Sequence, residues 1–480
     1  MRKSLAELVK SLGITSCPEW QGVEIRGITE DSRRVRPGYL FVAIQGFVED
    51  GHQYIDAAIA NGAKAIIVEH NVASSRPCIE VENTRKALAQ LSAAFFDHPT
   101  QKLFAVGVTG TKGKTTVCHF IAHLLGLSDS VLISTVANEA RNLRAVTTPS
   151  SSIIQQIAHR GLISGKRNLI LEVSSAALLL HRVDEVDFDA AVFTNLTHDH
   201  LDLHQNKEGY LKAKLRLFQS LKPGAIAIVN RDDPVSEHVL SAASGRQLTY
   251  AIHHAADLQA RSIRYHPRET KFTLYSKGKN VAVTLPLPGE HNVTNALAAA
   301  AVGIVNGIPI KELTEALART PTVAGRYQFF RAKNGATIVI DFAHSPDSLE
   351  RMLRSLRPFY SRVICVFGCG GESDRIKRPL MGRISGNLAD LTILTTDNPK
   401  TEDPERILDE IEAGLLPTGG RHKRIADRRK AVCQAIHEAK KGDAVLIAGK
   451  GHETYQIIGH EFVPYSDMDV LRNEGLLKMP

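Results

Sequence analysis

Short, nearly continuous apolar runs recur along most of the chain, and each gives way to a polar or glycine-rich loop. "LFAVGV" (103–108), "NLILEV" (168–173), "DAAVFT" (189–194) and "AIAIVN" (225–230) form one series. "TIVIDF", "RVICVF", "LTILTT" and "DAVLIA" form a second, nearer the C-terminus. A strand that is apolar on both faces needs cover on both faces, which is how the strands of a parallel sheet read. Helical patterns lie between the runs. The expected class is therefore α/β, with open twisted sheets that bind ligands beyond the carboxyl ends of their strands. Residues 1–99 differ: short strands "YLFVAI" (39–44) and "KAIIVE" (64–69) flank a helical "YIDAAIANG" that stops at Gly62. These patterns divide the chain into a small N-terminal α/β domain (1–99), a central domain with a mostly parallel sheet (100–324) and a C-terminal Rossmann-like domain (325–480).

Composition narrows the class of protein. Hydrophobic residues make up 43% and charged residues 23%, and no apolar run approaches the roughly 20 residues that span a bilayer. "MRKSLAELVKSLG" reads as an amphipathic helix, without the apolar core of a secretion signal. Cys17, Cys78, Cys118, Cys365, Cys369 and Cys433 are scattered with no C-x-x-C pair, which points to reduced thiols in a cytoplasm. A net charge of +8 favours anionic partners. The densest basic run, "RHKRIADRRK" (421–430), is broken by Ile425, Ala426 and Asp427 and reads as a solvated surface. The expectation is small-molecule substrates, no nucleic acid and no membrane insertion.

The strongest chemical signal is "GVTGTKGKTT" (107–116), between an apolar strand and the helical "VCHFIAHLLG". Glycines there let main-chain N–H groups wrap a phosphate at a helix N-terminus. Lys114 can reach the β/γ-phosphates and the Thr115 hydroxyl can bind Mg²⁺. The pattern G-x-x-x-x-G-K-[ST] is missed by position, because Val108 stands where its first glycine belongs. Glu172 ends one strand, and His198, Asp199, His200, Asp202 and His204 crowd the loop after another. Carboxylates at such strand ends suit Mg²⁺ and the histidines alone would suit zinc; a packed or solvated loop stays open for the cluster. "GEHNVTN" places Asn292 and Asn295 at a helix start, with asparagine as its cap. Arg326 lies between the second and third segments, and "DFAHSP" brings Asp341 and His344 to a strand end. "FGCGG" (367–371), "DNPK" (397–400) and "AGKGHE" (448–453) are further loops at strand ends.

Taken in order, "TGTKGKTT", "EVSS", "NLTHDHLDLH", "GRYQFF", "DFAHSPD", "FGCGG", "KRP", "DNPK" and "AGKGHE" resemble the Mur ligase family over nearly the whole chain. "FGCGG", "DNP" and "GKGHE" are similar to the branch that adds a diamino acid to UDP-N-acetylmuramoyl-L-alanyl-D-glutamate. The resemblance implies an N-terminal UDP-binding domain, a central P-loop ATPase domain and a C-terminal amino-acid-binding domain. It implies a cytoplasmic, monomeric ligase of peptidoglycan synthesis that works through an acyl phosphate, with ATP as cosubstrate. Gly110, Thr111, Lys112, Gly113, Lys114, Thr115, Thr116, Asn292, Asn295, Arg326, Asp341 and His344 would bind ATP. Lys114, Glu172, His200 and Lys214 would be catalytic. Thr115, Glu172, His200 and Lys214 would hold Mg²⁺, Lys214 as a carbamate formed with CO₂; the residues alone make Lys214 a helix-surface lysine. Ser32, Thr147, Thr148, Ser174 and Arg182 would bind the UDP-linked dipeptide, and Asp397, Asn398, Pro399, Lys400, Gly449 and Glu453 the amino acid.

The chain departs from the family's pattern at Ala176, Ala177 and Leu180, at Gln205 and His291, and at Ser373, where an arginine usually grips the incoming carboxylate; Arg375 stands two places on. Lys400 stands where meso-diaminopimelate-adding members carry arginine, keeping the charge but losing the planar fork. The expected amino acid is meso-diaminopimelate, with L-lysine as the alternative. A folylpolyglutamate-synthase-like ligase and a P-loop regulatory module without ligase activity are the competing readings.

Overall fold

A computed structural model of the chain describes residues 1–480 apart from 16, 47–48, 144–145, 198–205 and 479–480. Three principal sheets follow one another along the chain. The first is parallel throughout: β1 (Gly27–Thr29), β2 (Tyr39–Val42), β3 (Ala63–Val68) and β4 (Cys78–Glu80) in sequential order. The amphipathic N-terminal helix is short, Leu5–Lys10, with Leu5, Leu8 and Val9 buried.

The central sheet contains, among the described residues, β5 (Phe104–Thr109), β6 (Ser130–Ile133), β7 (Asn168–Glu172), β8 (Ala190–Phe193), β9 (Ile226–Asn230), β10 (Arg246–Ala251), β11 (Leu258–Tyr265), β12 (Thr270–Ser276) and β13 (Lys279–Leu285). Their order is β13-β12-β11-β10-β9-β8-β5-β7-β6. All neighbours are parallel except the last two pairings, β11 with β12 and β12 with β13. The runs read as doubly covered are just that: β7, β8 and β9 are buried at every position. Helices α1 (Lys114–Leu124), α2 (Lys207–Gln219) and α3 (Glu290–Val305) supply part of the cover. Because β5 lies between β7 and β8, three strand ends open side by side, bringing Gly110, Glu172 and Thr194 into one corner.

The third sheet runs β14 (Gln328–Arg331), β15 (Thr337–Asp341), β19 (Ala444–Ala448), β16 (Val363–Phe367), β17 (Leu391–Leu394) and β18 (His422–Arg424) in spatial order. It is parallel except for β14 against β15. Thus "TIVID" is its second strand in sequence, and the "YQFF" region forms the first. Helices α4 (Lys377–Leu388), α5 (Pro404–Leu415) and α6 (Arg428–Glu438) follow β16, β17 and β18. A hairpin of β20 (Tyr455–Ile458) and β21 (Glu461–Pro464) stands after β19.

Two expectations need correction here. The basic run 421–430 is not simply solvated. Arg428 opens α6 fully buried, its guanidinium paired with Asp467 at 2.8 Å from Nε and from Nη2, so each buried charge has its counter-charge. Asn292 is not the cap of α3: Gly289 is, at φ 93°, while Asn292 turns back to donate to the Pro288 carbonyl at 2.8 Å.

Candidate active site

The phosphate loop is built from both of its neighbours. Gly110 takes φ +145°, and a Cβ there would fall 1.9 Å from Thr194 Oγ1; Gly113 takes φ +85°, and a Cβ would fall 2.6 Å from Asn295 Oδ1. Neither position admits a side chain without moving a polar neighbour. The end of β8 grips the loop from behind: Thr111 N donates to the Asn195 carbonyl at 2.8 Å, Lys112 N to Asn195 Oδ1 at 2.9 Å, and Asn195 Nδ2 to the Lys112 carbonyl at 3.0 Å. Thr194 Oγ1 donates to the same carbonyl at 2.7 Å. Thr194 and Asn195 were not foreseen as supports; their signal is their place at the strand end directly beside the loop.

Lys114 Nζ donates to the Thr111 carbonyl at 2.9 Å. Lys214 is buried in α2, with Nζ 2.8 Å from the Gly110 carbonyl and 4.4 Å above the Tyr210 ring. The reading of a surface lysine is therefore wrong. Tyr210, Ala213, Leu217 and Phe218 form a buried stripe at helical spacing, and Lys214 falls within it.

Glu172 is 2% exposed and lies against the first turn of α1. Thr115 Oγ1 is 3.0 Å from each of its carboxylate oxygens, Thr135 N donates to Oε2 at 2.9 Å, and Thr135 Oγ1 lies 3.1 Å from Oε2. Thr135, at the end of β6, was also missed. Hard oxygen donors of this kind fit Mg²⁺. The fourth expected participant, His200, lies with the 198–205 segment outside the described residues; among those described, no three His, Cys, Asp or Glu side chains form a metal-holding group.

The expected dipeptide residues adjoin this corner. Thr147 Oγ1 lies 3.2 Å from Thr135 Oγ1. Thr148 Oγ1 donates to the Glu172 carbonyl at 2.7 Å and accepts from Ser174 N at 3.0 Å, and Arg182 Nη1 donates to the Thr148 carbonyl at 2.8 Å. Ser32 sits in the N-terminal segment, its carbonyl held by Asn61 Nδ2 at 3.0 Å. Two residues before it, Glu30 accepts from Ser152 Oγ at 2.8 Å, which joins that segment to the helix after Thr148. Ala176 and Ala177 lie on the short helix Ser175–Leu179, and Leu180 follows its last residue.

From the third segment, Arg326 reaches across so that Nη2 lies 3.5 Å from Thr115 Oγ1, with its guanidinium 4.4 Å over the Phe342 ring. Burial pulls this guanidinium below its ordinary range and pushes the Asp341 carboxyl up; Asp341 Oδ2 accepts from Tyr327 N at 2.8 Å. His344 Nδ1 lies 2.8 Å from the Phe342 carbonyl. His452 also packs against Phe342, 5.2 Å between centroids. Burial, with Arg326, His119 and Lys450 nearby, lowers His452 to about 3, and burial with Arg326 lowers His119 to about 4.

The amino-acid residues converge on Lys450. Its Nζ donates to Glu453 Oε2 at 2.7 Å and Asn398 Oδ1 at 2.8 Å, with Asp397 Oδ1 at 3.4 Å; Asn398 Nδ2 donates to Glu453 Oε2 at 3.1 Å. Lys450 is wholly buried. Burial raises the Glu453 carboxyl. Gly449, at φ +108°, would place a Cβ 2.5 Å from Asp397 Oδ2, and one on Gly371 would fall 1.9 Å from the Pro399 carbonyl, so "FGCGG", "DNPK" and "AGKGHE" pack into one wall. Lys400, at φ +52°, is a third exposed. Arg375 pairs with Glu410. Arg378, buried, spends its fork on Glu402, Glu410 and the Gly370 carbonyl. Ser373 Oγ turns to the Gly370 carbonyl at 2.8 Å.

Residues 24–96, 108–303 and 325–451 match, respectively, models of the Mur ligase family catalytic domain, the Mur ligase middle domain and the Mur ligase glutamate ligase domain. Over 486 residues, covering 99% of this chain and 100% of the relative, it is 39% identical to the UDP-N-acetylmuramoyl-L-alanyl-D-glutamate–2,6-diaminopimelate ligase of Clostridioides difficile. The chain belongs to the Mur ligase family. The enzyme of the same name from Caldanaerobacter subterraneus subsp. tengcongensis is 39% identical over 460 residues, 94% of each chain. Among solved Mur ligases, a UDP-N-acetylmuramoyl-L-alanyl-D-glutamate–2,6-diaminopimelate ligase matches with a TM-score of 0.67 and 31% identity over 98% of both chains. The Acinetobacter baumannii UDP-N-acetylmuramoylalanyl-D-glutamyl-2,6-diaminopimelate–D-alanyl-D-alanyl ligase shares the fold at a TM-score of 0.68 and 20% identity, over 98% of this chain and 97% of that one. The α/β class with mostly parallel sheets, expected from the apolar runs, is that of these Mur ligases.

Proposed function

We propose that this Mur ligase adds meso-2,6-diaminopimelate to UDP-N-acetylmuramoyl-L-alanyl-D-glutamate with ATP hydrolysed to ADP and phosphate. The observation that carries the reading is the meeting of two sites. The phosphate loop with Thr115 and Glu172 lies within reach of Arg326, and the Lys450–Glu453–Asn398 cluster stands on the same third segment. A D-glutamyl carboxylate oxygen attacks the γ-phosphorus and ADP leaves. The amine of the incoming amino acid then attacks the acyl carbon, loses its proton, and phosphate departs with the C–O bond electrons. Phosphoryl transfer of this kind asks the protein mainly for positioning and charge neutralisation.

In this reading the loop Gly110, Thr111, Lys112, Gly113, Lys114, Thr115 and Thr116 holds the phosphates, through the Lys114 ammonium and the main-chain N–H groups other than those of Thr111 and Lys112, which are spent on Asn195. Asn292, Asn295, Arg326, Asp341 and His344 enclose the nucleoside. Ser32 of segment 1–99 and Thr147, Thr148, Ser174 and Arg182 of segment 100–324 hold the UDP-linked dipeptide, and segment 325–480 holds the amino acid. Thr115, Glu172, His200 and Lys214 would hold Mg²⁺, which supplies charge neutralisation at the phosphates. Lys214 serves as a carbamate, its amine having added to CO₂ with release of a proton; an anion at that buried position suits a cation site better than an ammonium. Glu453 receives the distal ammonium of the amino acid and Lys400 the distal carboxylate. The enzyme acts in the cytoplasm; no helix among the described residues is long and apolar enough to cross a membrane.

Lys400, which lacks arginine's planar fork for a distal carboxylate, favours a second reading, in which L-lysine is the amino acid. Incubation with ATP, Mg²⁺, UDP-N-acetylmuramoyl-L-alanyl-D-glutamate and each amino acid, with phosphate measured, separates them. Faster release with meso-diaminopimelate is expected. A higher kcat/KM with L-lysine reverses the choice, and no release with either, while ATP still binds, removes the ligase reading.

A further inference from the structure

The rim of the amino-acid wall carries a fixed carboxylate that none of the preceding roles uses. Lys400 is tied by its main chain: its N donates to the Ile457 carbonyl at 3.0 Å, and Gly459 N donates to its carbonyl at 2.8 Å. Its side chain therefore leaves from a fixed point, and Nζ comes to lie 3.8 Å from Glu372 Oε2. Glu372 is fixed as well. It takes φ +48°, its N donates to the Glu402 carboxylate, and its own carboxylate accepts from Thr401 Oγ1. Glu402 in turn is anchored by the buried Arg378 at 2.9 and 3.0 Å. The Thr401 hydrogen bonds, with Lys400 nearby, hold the Glu372 carboxyl below its usual range, so it stays ionised at neutral pH.

We propose that Glu372 is a positioning residue that sets discrimination between incoming amino acids, by holding the Lys400 ammonium at the rim and competing for it with the substrate's distal carboxylate. The inference rests on the reading that the Lys450–Glu453 wall receives the amino acid. Three other cations of this wall are engaged: Lys450 with Glu453 and Asn398, Arg375 with Glu410, Arg378 with Glu402 and Glu410. A diamino dicarboxylate brings a carboxylate to Lys400 and meets the like charge of Glu372. A monocarboxylate such as L-lysine brings only an ammonium to the same place, and Glu372 offsets the repulsion from Lys400. One carboxylate thus acts in opposite directions on the two substrates.

The side chains of Lys400 and Glu372 are 33% and 46% exposed, so each effect is modest, about two- to fivefold, and shrinks at high salt. The test is steady-state kinetics on the full-length protein and its E372Q variant, with meso-diaminopimelate as substrate and L-lysine as substrate or competitive inhibitor. The expected result is a lower KM for meso-diaminopimelate and a higher KM or Ki for L-lysine. Glu372→Asp, which keeps the charge, should return both toward the original values. In a Lys400→Gln background, E372Q should no longer lower the KM for meso-diaminopimelate. KM values that move together for both amino acids, or an effect confined to kcat or to thermal stability, overturn the proposal. Turnover by the unchanged protein with no shift in E372Q removes the role of Glu372 alone. No turnover by the unchanged protein with either amino acid removes the underlying reading and this inference with it.

Discussion

Lys214 shows how much one buried residue can carry. Its Nζ lies against the Gly110 carbonyl at the phosphate loop, so truncation removes a polar group from the place where charge develops. Lys214→Ala should lose about 10²–10³-fold in kcat, read as phosphate release, with added bicarbonate restoring little because no amine remains to react. The buried ion pair of Arg428 and Asp467 makes a different prediction. Asp467→Ala leaves a buried guanidinium without its counter-charge and should cost about 3–5 kcal/mol in denaturant unfolding. At this scale the sequence was only partly legible. The phosphate-loop residues announce themselves by type and order. Lys214 and Arg428 do not, because a long cation is solvated by default and only its position on an apolar stripe, or the partner 39 residues away, says otherwise.

Elements were easier to read where burial is two-sided. β5, β7, β8 and β9 follow directly from their continuous apolar runs, since no other arrangement hides both faces. The extension through β11, β12 and β13 was missed: β12 alternates buried with more exposed positions, a weaker signal interrupted by the charge of Lys271. The missing supports, Thr194, Asn195 and Thr135, are likewise ordinary polar residues whose role depends on which strands are neighbours, and strand order is a property of the folded sheet. The loop between β5 and α1 gives a sharp test. Gly110→Ala or Gly113→Ala should lower ATP affinity by at least about tenfold by calorimetry, while far-ultraviolet dichroism stays native, because the strain of a side chain at these φ values falls on a few residues.

At the scale of the molecule, and among the described residues, burial keeps His119 and His291 neutral down to about 4 and His452 down to about 3. Unfolded, each titrates near 6.5, so between about pH 6.5 and 4 the unfolded chain binds more protons and stability falls with acidification. The melting temperature should drop through that window, and His452→Gln should make the drop shallower; a flat profile would contradict the burial of these rings. Carboxylates lowered in the fold, such as Glu402 at about 2, extend the loss below about pH 4.5. The hairpin β20–β21 has a consequence of another kind. It grips Lys400 only by main-chain atoms, and it does so in the left-handed region of backbone space. A residue held in that way is a replaceable bit: arginine, lysine or asparagine can be exchanged there without re-tooling the frame, whereas valine, isoleucine and threonine are shut out by their branched Cβ. The rim of this wall can thereby change its charge through single codons, within an alphabet that its backbone has already shortened.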